Sequence, residues 1–208
     1  MVCKCELKQV EVEALRSIFE IVLKSRRSPT VNELQLSLKL SDEEIIRALD
    51  ELEKKEVLLR KRGTQEIVSI YPLSLKTTEH RIILEDGTRL FAMCAADALG
   101  MPIMFNKNVR IISRCKECKK EMVFEIKNGN ITYMSHQGAA ICSPKIQVYP
   151  AAETTCPLVN FFCSKKHAAD WIEKNPQLTG NINQRSAKQR FPKIRECWKL
   201  YGEALGIR

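Results

Sequence analysis

Cys94 and Asp97 stand three positions apart in Phe91-Ala92-Met93-Cys94-Ala95-Ala96-Asp97-Ala98-Leu99, a spacing that sets a thiol and a carboxyl side by side on one face of a short helix. A second thiol, Cys156, lies in another apolar stretch far down the chain. Such a set suits chemistry on a soft metal: one thiolate binds it, a second completes a near-linear coordination, and a carboxyl beside them moves a proton. The alanines around Cys94 leave room for a ligand. A helix beginning near Phe91 would hold Cys94 in its first turn, where unpaired N–H groups and the macrodipole are expected to lower the thiol pKa from its usual ~8.5. Asp97 is expected to move the other way, because burial disfavours the carboxylate. A rise of about three units, roughly 4 kcal/mol, lets it hold a proton near neutral pH. The plainer alternative, a small buried thiol next to a hydrogen-bonded acid, fits the same spacing.

These groups need a scaffold, and the 208-residue chain, 44% hydrophobic, is long enough for one large domain or two small ones. No stretch approaches the roughly 18 uninterrupted apolar residues of a membrane helix, and the opening residues, Met1 to Lys8, contain no apolar signal-peptide core. A cytoplasmic protein with no membrane partner is therefore expected. Nine cysteines, in a reducing compartment, read as free thiols or ligands rather than a disulfide framework. The formal charge of +9 favours an anionic partner only where the charges cluster.

Apolar positions Val10, Val12, Leu15, Ile18, Phe19, Val22 and Leu23 recur near the helical period. Thr30 with Glu33 and Ser41 with Glu44 are capping boxes that open two more helices. Strand-like runs at 57–60 and 67–71 flank a turn at Gly63. Three helices and a hairpin outline a winged-helix-like module over residues 1–78, whose third helix would enter DNA. That helix carries Asp42, Glu43, Glu44, Asp50, Glu51 and Glu53, so phosphates would meet mostly like charge, and nucleic acid is not an expected partner. Residues 72–79 read as a linker. Residues 79–208 then read as an α+β catalytic domain with a mixed, mainly antiparallel sheet and flanking helices. Its strands are expected near 81–84, 90–91, 109–113, 122–126, 131–134, 146–149 and 158–162, and its helices near 93–99, 165–174 and 193–204.

The segment Leu90-Phe91-Ala92-Met93-Cys94-Ala95-Ala96-Asp97 resembles the first active-site segment of the organomercurial lyases (alkylmercury lyases). Thr155-Cys156-Pro157-Leu158-Val159-Asn160-Phe161-Phe162, followed by Ala169-Asp170-Trp171, resembles the second. Cys115, after Val109-Arg110-Ile111-Ile112-Ser113, is similar to a further family cysteine regarded as structural. The resemblance implies cleavage of carbon–mercury bonds by protonation, with Cys94 and Cys156 as the mercury-binding thiols and Asp97 as the proton carrier. It implies no organic cofactor, Hg(II) as bound product, small thiols that remove it, and a mercuric reductase as the receiving partner. Pro157, directly after Cys156, and the extra thiols Cys118 and Cys163 depart from the family pattern.

Other features carry rival readings. Cys115-Lys116-Glu117-Cys118 is a knuckle after a strand, and Cys163 with His167 offers a second pair of soft ligands, so the four together suit a structural zinc. A metal-responsive DNA-binding regulator would use the N-terminal module as reader and the cysteines as sensor. A noncatalytic soft-metal binding protein would pass ions from Cys3 and Cys5 to Cys94 and Cys156. His136 reads as a surface residue, and Trp171 and Trp198 as core. Arg185, Lys188, Arg190, Lys193 and Arg195 form a basic run that is either solvated surface or a dock for an acidic group.

Overall fold

The apolar stripe at the start of the chain folds as helix α1 (Gln9–Ser25), which buries Leu15, Ile18, Phe19 and Val22. In the computed structural model, which describes residues 6–146, 148, 150–178 and 181–207, α2 (Val31–Leu38) and α3 (Asp42–Lys54) follow. Both start at reciprocal capping boxes. The hydroxyls of Thr30 and Ser41 accept from the N–H groups of Glu33 and Glu44, whose carboxylates accept from the cap N–H groups in return. The acidic face of α3 is largely spoken for. Arg60, only 11% exposed at its side chain, lies 2.6 Å from Asp50 and 2.7 Å from Glu53, so the hairpin after α3 spends its first arginine on that helix.

The strands β1 (Leu58–Arg60), β2 (Ile67–Ile70), β3 (Leu73–Ser74), β4 (Arg81–Leu84) and β5 (Arg89–Ala92) lead to helix α4 (Ala95–Met104). After it come β6 (Val109–Arg114), β7 (Glu121–Lys127), β8 (Asn130–Met134) and β9 (Ala140–Pro144). The chain ends with α5 (Ala151–Thr154), a 3-10 turn at Cys156–Leu158, β10 (Asn160–Phe162), α6 (Lys165–Glu173), β11 (Ile182–Ser186) and α7 (Ala187–Ala204). The architecture is α+β. Eight strands form one sheet in the order β1-β2-β3-β5-β4-β6-β7-β8, each pair antiparallel, and a smaller sheet runs β10-β9-β11. No helix among the described residues is long and apolar enough to cross a membrane.

Three local expectations need correction. The segment read as a linker contains β3, which pairs with β2 on one side and β5 on the other, so the first hairpin and the central strands share a sheet. The strand expected at 146–149 lies earlier, at Ala140–Pro144; Ile146 and Val148 are exposed, and Gln147 and Tyr149 are outside the described residues. β11 has no counterpart in the sequence reading.

α4 and α7 pack face to face, and two glycines permit it. A Cβ on Gly100 would lie 1.9 Å from Trp198 Cδ1, and one on Gly202 would lie 2.6 Å from the Met104 carbonyl oxygen. Both contacts are far inside van der Waals separation, so side chains there would force the helices apart.

Candidate active site

Cys94 sits between the end of β5 and the start of α4, in the extended N-cap position. A helix start leaves its first N–H groups without intrahelical partners. The Ala95 N–H is instead taken by the Val159 carbonyl at 3.0 Å, a bond that ties the start of α4 to the chain entering β10. Cys156 opens the 3-10 turn just before Val159, whose own N–H returns to the Cys156 carbonyl at 3.0 Å. Two remote segments are thereby held with their thiols facing one space. From the N-terminal side, the Met93 N–H bonds the Pro72 carbonyl at 3.2 Å, and the Tyr71 hydroxyl lies 3.1 Å from Cys156 Sγ.

The Cys94 sulfur, the Cys156 sulfur and a carboxylate oxygen of Asp97 all lie within 4.8 Å of one another. Their residues are 3%, 6% and 4% exposed. The Cys156 thiol points at Asp97 Oδ2 from 3.9 Å. The three groups line a cavity of about 340 Å³ together with Tyr71, Arg190 and Trp198, and Lys145 and Lys193 also border it. Such a space admits a small organic group attached to a heavy atom.

Burial sets the protonation of this site. It pushes Asp97 up to about 7, against the pull of hydrogen bonds from Cys94 and Cys156, in the direction that apolar surroundings predict. Cys94 contradicts the expectation of a depressed thiol. Burial comes first, then a hydrogen bond with Cys156 and the charge on Asp97, and together they raise it well above its ordinary value. The helix-terminus field contributes at most ~2 kcal/mol, and full desolvation of a thiolate outweighs it. Tyr71 is raised as well, by burial and then by the neighbouring Cys156 and Asp97. Cys94 therefore holds its proton at rest and loses it when a metal replaces it, while Asp97 is poised to take up or give a proton near neutral pH.

Tyr71 and Arg190 are the residues that sequence reasoning missed. Arg190 belongs to the basic run, but it is half-buried at the cavity, where burial and Arg185 lower its pKa and the nearby Cys94 raises it. Trp198, expected as core, is buried and also lines the cavity.

Cys115, Cys118, Cys163 and His167 also come together, each offering one ligand atom within 4.8 Å of the others. Cys142, in β9, is pushed up to about 12 by burial and packs as a small apolar side chain. Cys197 is disulfide-bonded, which corrects the expectation that every cysteine is a free thiol or a ligand. Cys3 and Cys5 lie outside the described residues.

Fold and site together define a class: an α+β protein on antiparallel sheets that buries two thiols and a protonatable carboxyl around one cavity. A family model described as alkylmercury lyase matches residues 73–191, more than half of the chain. The chain belongs to the alkylmercury lyase family. An alkylmercury lyase of Staphylococcus epidermidis is 29% identical over 109 residues, covering 51% of this chain and 50% of that protein. The match thus spans half the length of that relative. An alkylmercury lyase of Bacillus cereus is 24% identical over 168 residues, covering 79% and 74% of the two chains. The crystal structure of the mercury-bound form of MerB2 shares the fold, with a TM-score of 0.79 at 23% identity over 98% of this chain and 95% of that one.

Proposed function

We propose that this chain is an organomercurial lyase that splits carbon–mercury bonds by protonation, giving a hydrocarbon and Hg(II), with Cys94, Asp97 and Cys156 as its catalytic groups. The observation that carries the reading is the convergence of two buried thiols and a carboxyl raised to about 7 on one cavity. A monoalkylmercury cation, RHg+, is first bound by one thiol, whose proton passes to the Asp97 carboxylate. The second thiol then ligates the same mercury. Each added sulfur donates electron density through mercury and makes the attached carbon more basic. Protonated Asp97 delivers its proton to that carbon, the carbon–mercury bond breaks with its electron pair going to the new C–H bond, and mercury stays on two thiolates. Overall, RHg+ and two thiols become RH, a dithiolate Hg(II) and one proton released to solvent. A carboxyl with a pKa near 7 suits both halves, since it accepts from a metal-bound thiol and still donates at neutral pH.

Several finer assignments belong to the same reading. We assign the protein to the cytoplasm, with small thiols and a mercuric reductase as acceptors of the product. Residues 1–78 are assigned as a winged-helix-like module and 79–208 as the catalytic domain. Three helices followed by the β1–β2 hairpin support the first assignment, and Tyr71 beside Cys156 gives that module a part in the site. A DNA-reading role is disfavoured, because Arg60 of the hairpin is paired to α3. The structural zinc expected at Cys115, Cys118, Cys163 and His167 is a separate proposal, independent of the carbon–mercury step.

The test is incubation of the purified protein with methylmercury and excess small thiol, with methane measured in the headspace. Wild-type protein should release methane, and Asp97→Asn should bind mercury without releasing it. An Asp97→Asn protein as fast as wild type refutes the proton-carrier role. A wild-type protein that binds methylmercury and yields no methane supports the noncatalytic carrier instead.

A further inference from the structure

We propose that Cys115, Cys118, Cys163 and His167 hold a resident zinc ion that clamps β10, the strand following Cys156, to the turn between β6 and β7. The proposal stands whether or not the buried site cleaves carbon–mercury bonds. Cys115 follows directly on β6 and Cys118 lies in the turn to β7, while Cys163 follows directly on β10 and His167 lies in the first turn of α6. Four soft donors from two separate turns thus meet at one point, a closed three-cysteine, one-histidine set of the kind that holds structural zinc.

The distances fit that ion. A tetrahedron with Zn–S bonds of about 2.3 Å and a Zn–N bond of about 2.0–2.1 Å has S···S edges of ~3.8 Å and S···N edges of ~3.6 Å. The Cys118 and Cys163 sulfurs are 3.8 Å apart, and Cys115 Sγ is 3.7 Å from His167 Nδ1. Cys163 Sγ to His167 Nδ1, at 2.9 Å, is the edge that must open on metal binding. The 3.8 Å separation is also far outside the ~2.05 Å of a disulfide bond.

The backbone is arranged for thiolates. The Cys163 N–H donates to Cys115 Sγ at 3.4 Å, and the Lys120 N–H donates to the Cys118 sulfur. The knuckle is closed by the Cys115 N–H on the Lys120 carbonyl and the Lys119 N–H on the Cys115 carbonyl, each at 2.9 Å. Closing it puts Lys119 at φ 62°, a left-handed conformation that a non-glycine residue adopts at a cost. Zinc with three thiolates and a neutral imidazole carries one net negative charge. Lys116, Lys119 and Lys120 on the knuckle and Lys165 at the start of α6 are sequence neighbours of the four donors with the opposite sign, against the single acid Glu117, which pairs with Lys174.

The clamp has a mechanical purpose. β10 is a three-residue strand at the edge of the small sheet, bonded to β9 on one side only. Short edge strands are weakly held. Further ties cross to the knuckle: the Lys116 N–H bonds the Phe161 carbonyl at 3.0 Å, and Glu117 pairs with Lys174. An ion at the four donors would fix the chain immediately after Asn160, whose side-chain amide holds the Pro157 carbonyl at 2.7 Å in the turn that bears Cys156.

The experiment is metal analysis of the full chain purified without added metal, paired with cobalt(II) titration of chelator-stripped wild-type protein. About one zinc per chain is expected, retained in the Cys94→Ser/Cys156→Ser double variant, lost in Cys118→Ser, and kept in His167→Cys, which supplies a fourth thiolate. Cobalt should give the intense visible bands of a tetrahedral thiolate site, a readout that stands even where Cys118→Ser fails to fold. Zinc absent from wild type together with no tetrahedral cobalt spectrum overturns the proposal. So does zinc that survives Cys118→Ser and disappears from the double variant.

Discussion

The two thiol clusters draw on neighbouring stretches of chain, one half from residues 94–118 and the other from residues 156–167, yet they are built for opposite tasks. Cys94, Asp97 and Cys156 are all buried and line a cavity, with two sulfurs and a carboxyl that stays protonatable. Cys115, Cys118, Cys163 and His167 offer four ligands and no acid, with only Cys115 fully buried. Two sulfurs leave a metal open to a further partner, whereas four donors close it. The comparison teaches that ligand number and the presence of a proton carrier, rather than cysteine content, separate a reacting site from a holding one.

The largest effect expected of this contrast is kinetic. Asp97→Asn should slow methane release by about 10²–10⁴-fold, the usual range for loss of a positioned acid, with mercury binding retained in a titration. Cys118→Ser should slow it far less per folded molecule. Equal losses in the two variants would erase the distinction between the clusters.

Stability sharpens the comparison from the other side. Asp97 has its folded pKa raised from 3.8 to about 7, so its contribution is fully present below pH 4 and is lost as pH rises through about 7. About three units correspond to ~4 kcal/mol. Asp97→Asn should therefore gain on wild type by up to about 4 kcal/mol between pH 4 and pH 8.5 in urea denaturation, and a constant difference over that range contradicts the assignment. Loss of the zinc ligand Cys118 should cost about 3 kcal/mol, a drop in Tm of roughly 6–12 °C, with little dependence on pH above 7. The smallest effect belongs to Tyr71→Phe. It removes the contact between the hydroxyl and Cys156 Sγ, worth ~1 kcal/mol, and should change the cleavage rate by about fivefold or less.

Much of this was legible in the residues themselves. The three-residue step from Cys94 to Asp97 survives although α4 begins at Ala95 and not near Phe91, because Cys94 is the N-cap and Asp97 lies in the first turn, and both capping boxes form where Thr30-Glu33 and Ser41-Glu44 stand. C-x-x-C marked the knuckle. Cys156, in contrast, came from family resemblance, since no periodic pattern links it to Cys94. The place of Tyr71 and Arg190 at the cavity was invisible for the same reason: they reach it from the turn after β2 and from α7 by tertiary packing alone. β9 was misplaced because Ala140, Cys142 and Ser143 are small and weakly strand-favouring, although all are buried, while Ile146 and Val148 look like strand residues and are exposed. β11 reads Ile-Asn-Gln-Arg-Ser, with no apolar alternation to announce it. α7 begins at Ala187, earlier than expected, because a capping box of Ser186 and Gln189 starts it ahead of Pro192.

The central claim is that Cys94 and Cys156 grip one mercury atom together. X-ray absorption at the mercury edge, on protein that keeps Cys115, Cys118, Cys163 and His167 and carries one Hg(II) per chain, tests it without reference to turnover. The account predicts two sulfur neighbours at a single distance, falling to one in a Cys156→Ser variant. A mercury environment unchanged by the loss of Cys156 would contradict it.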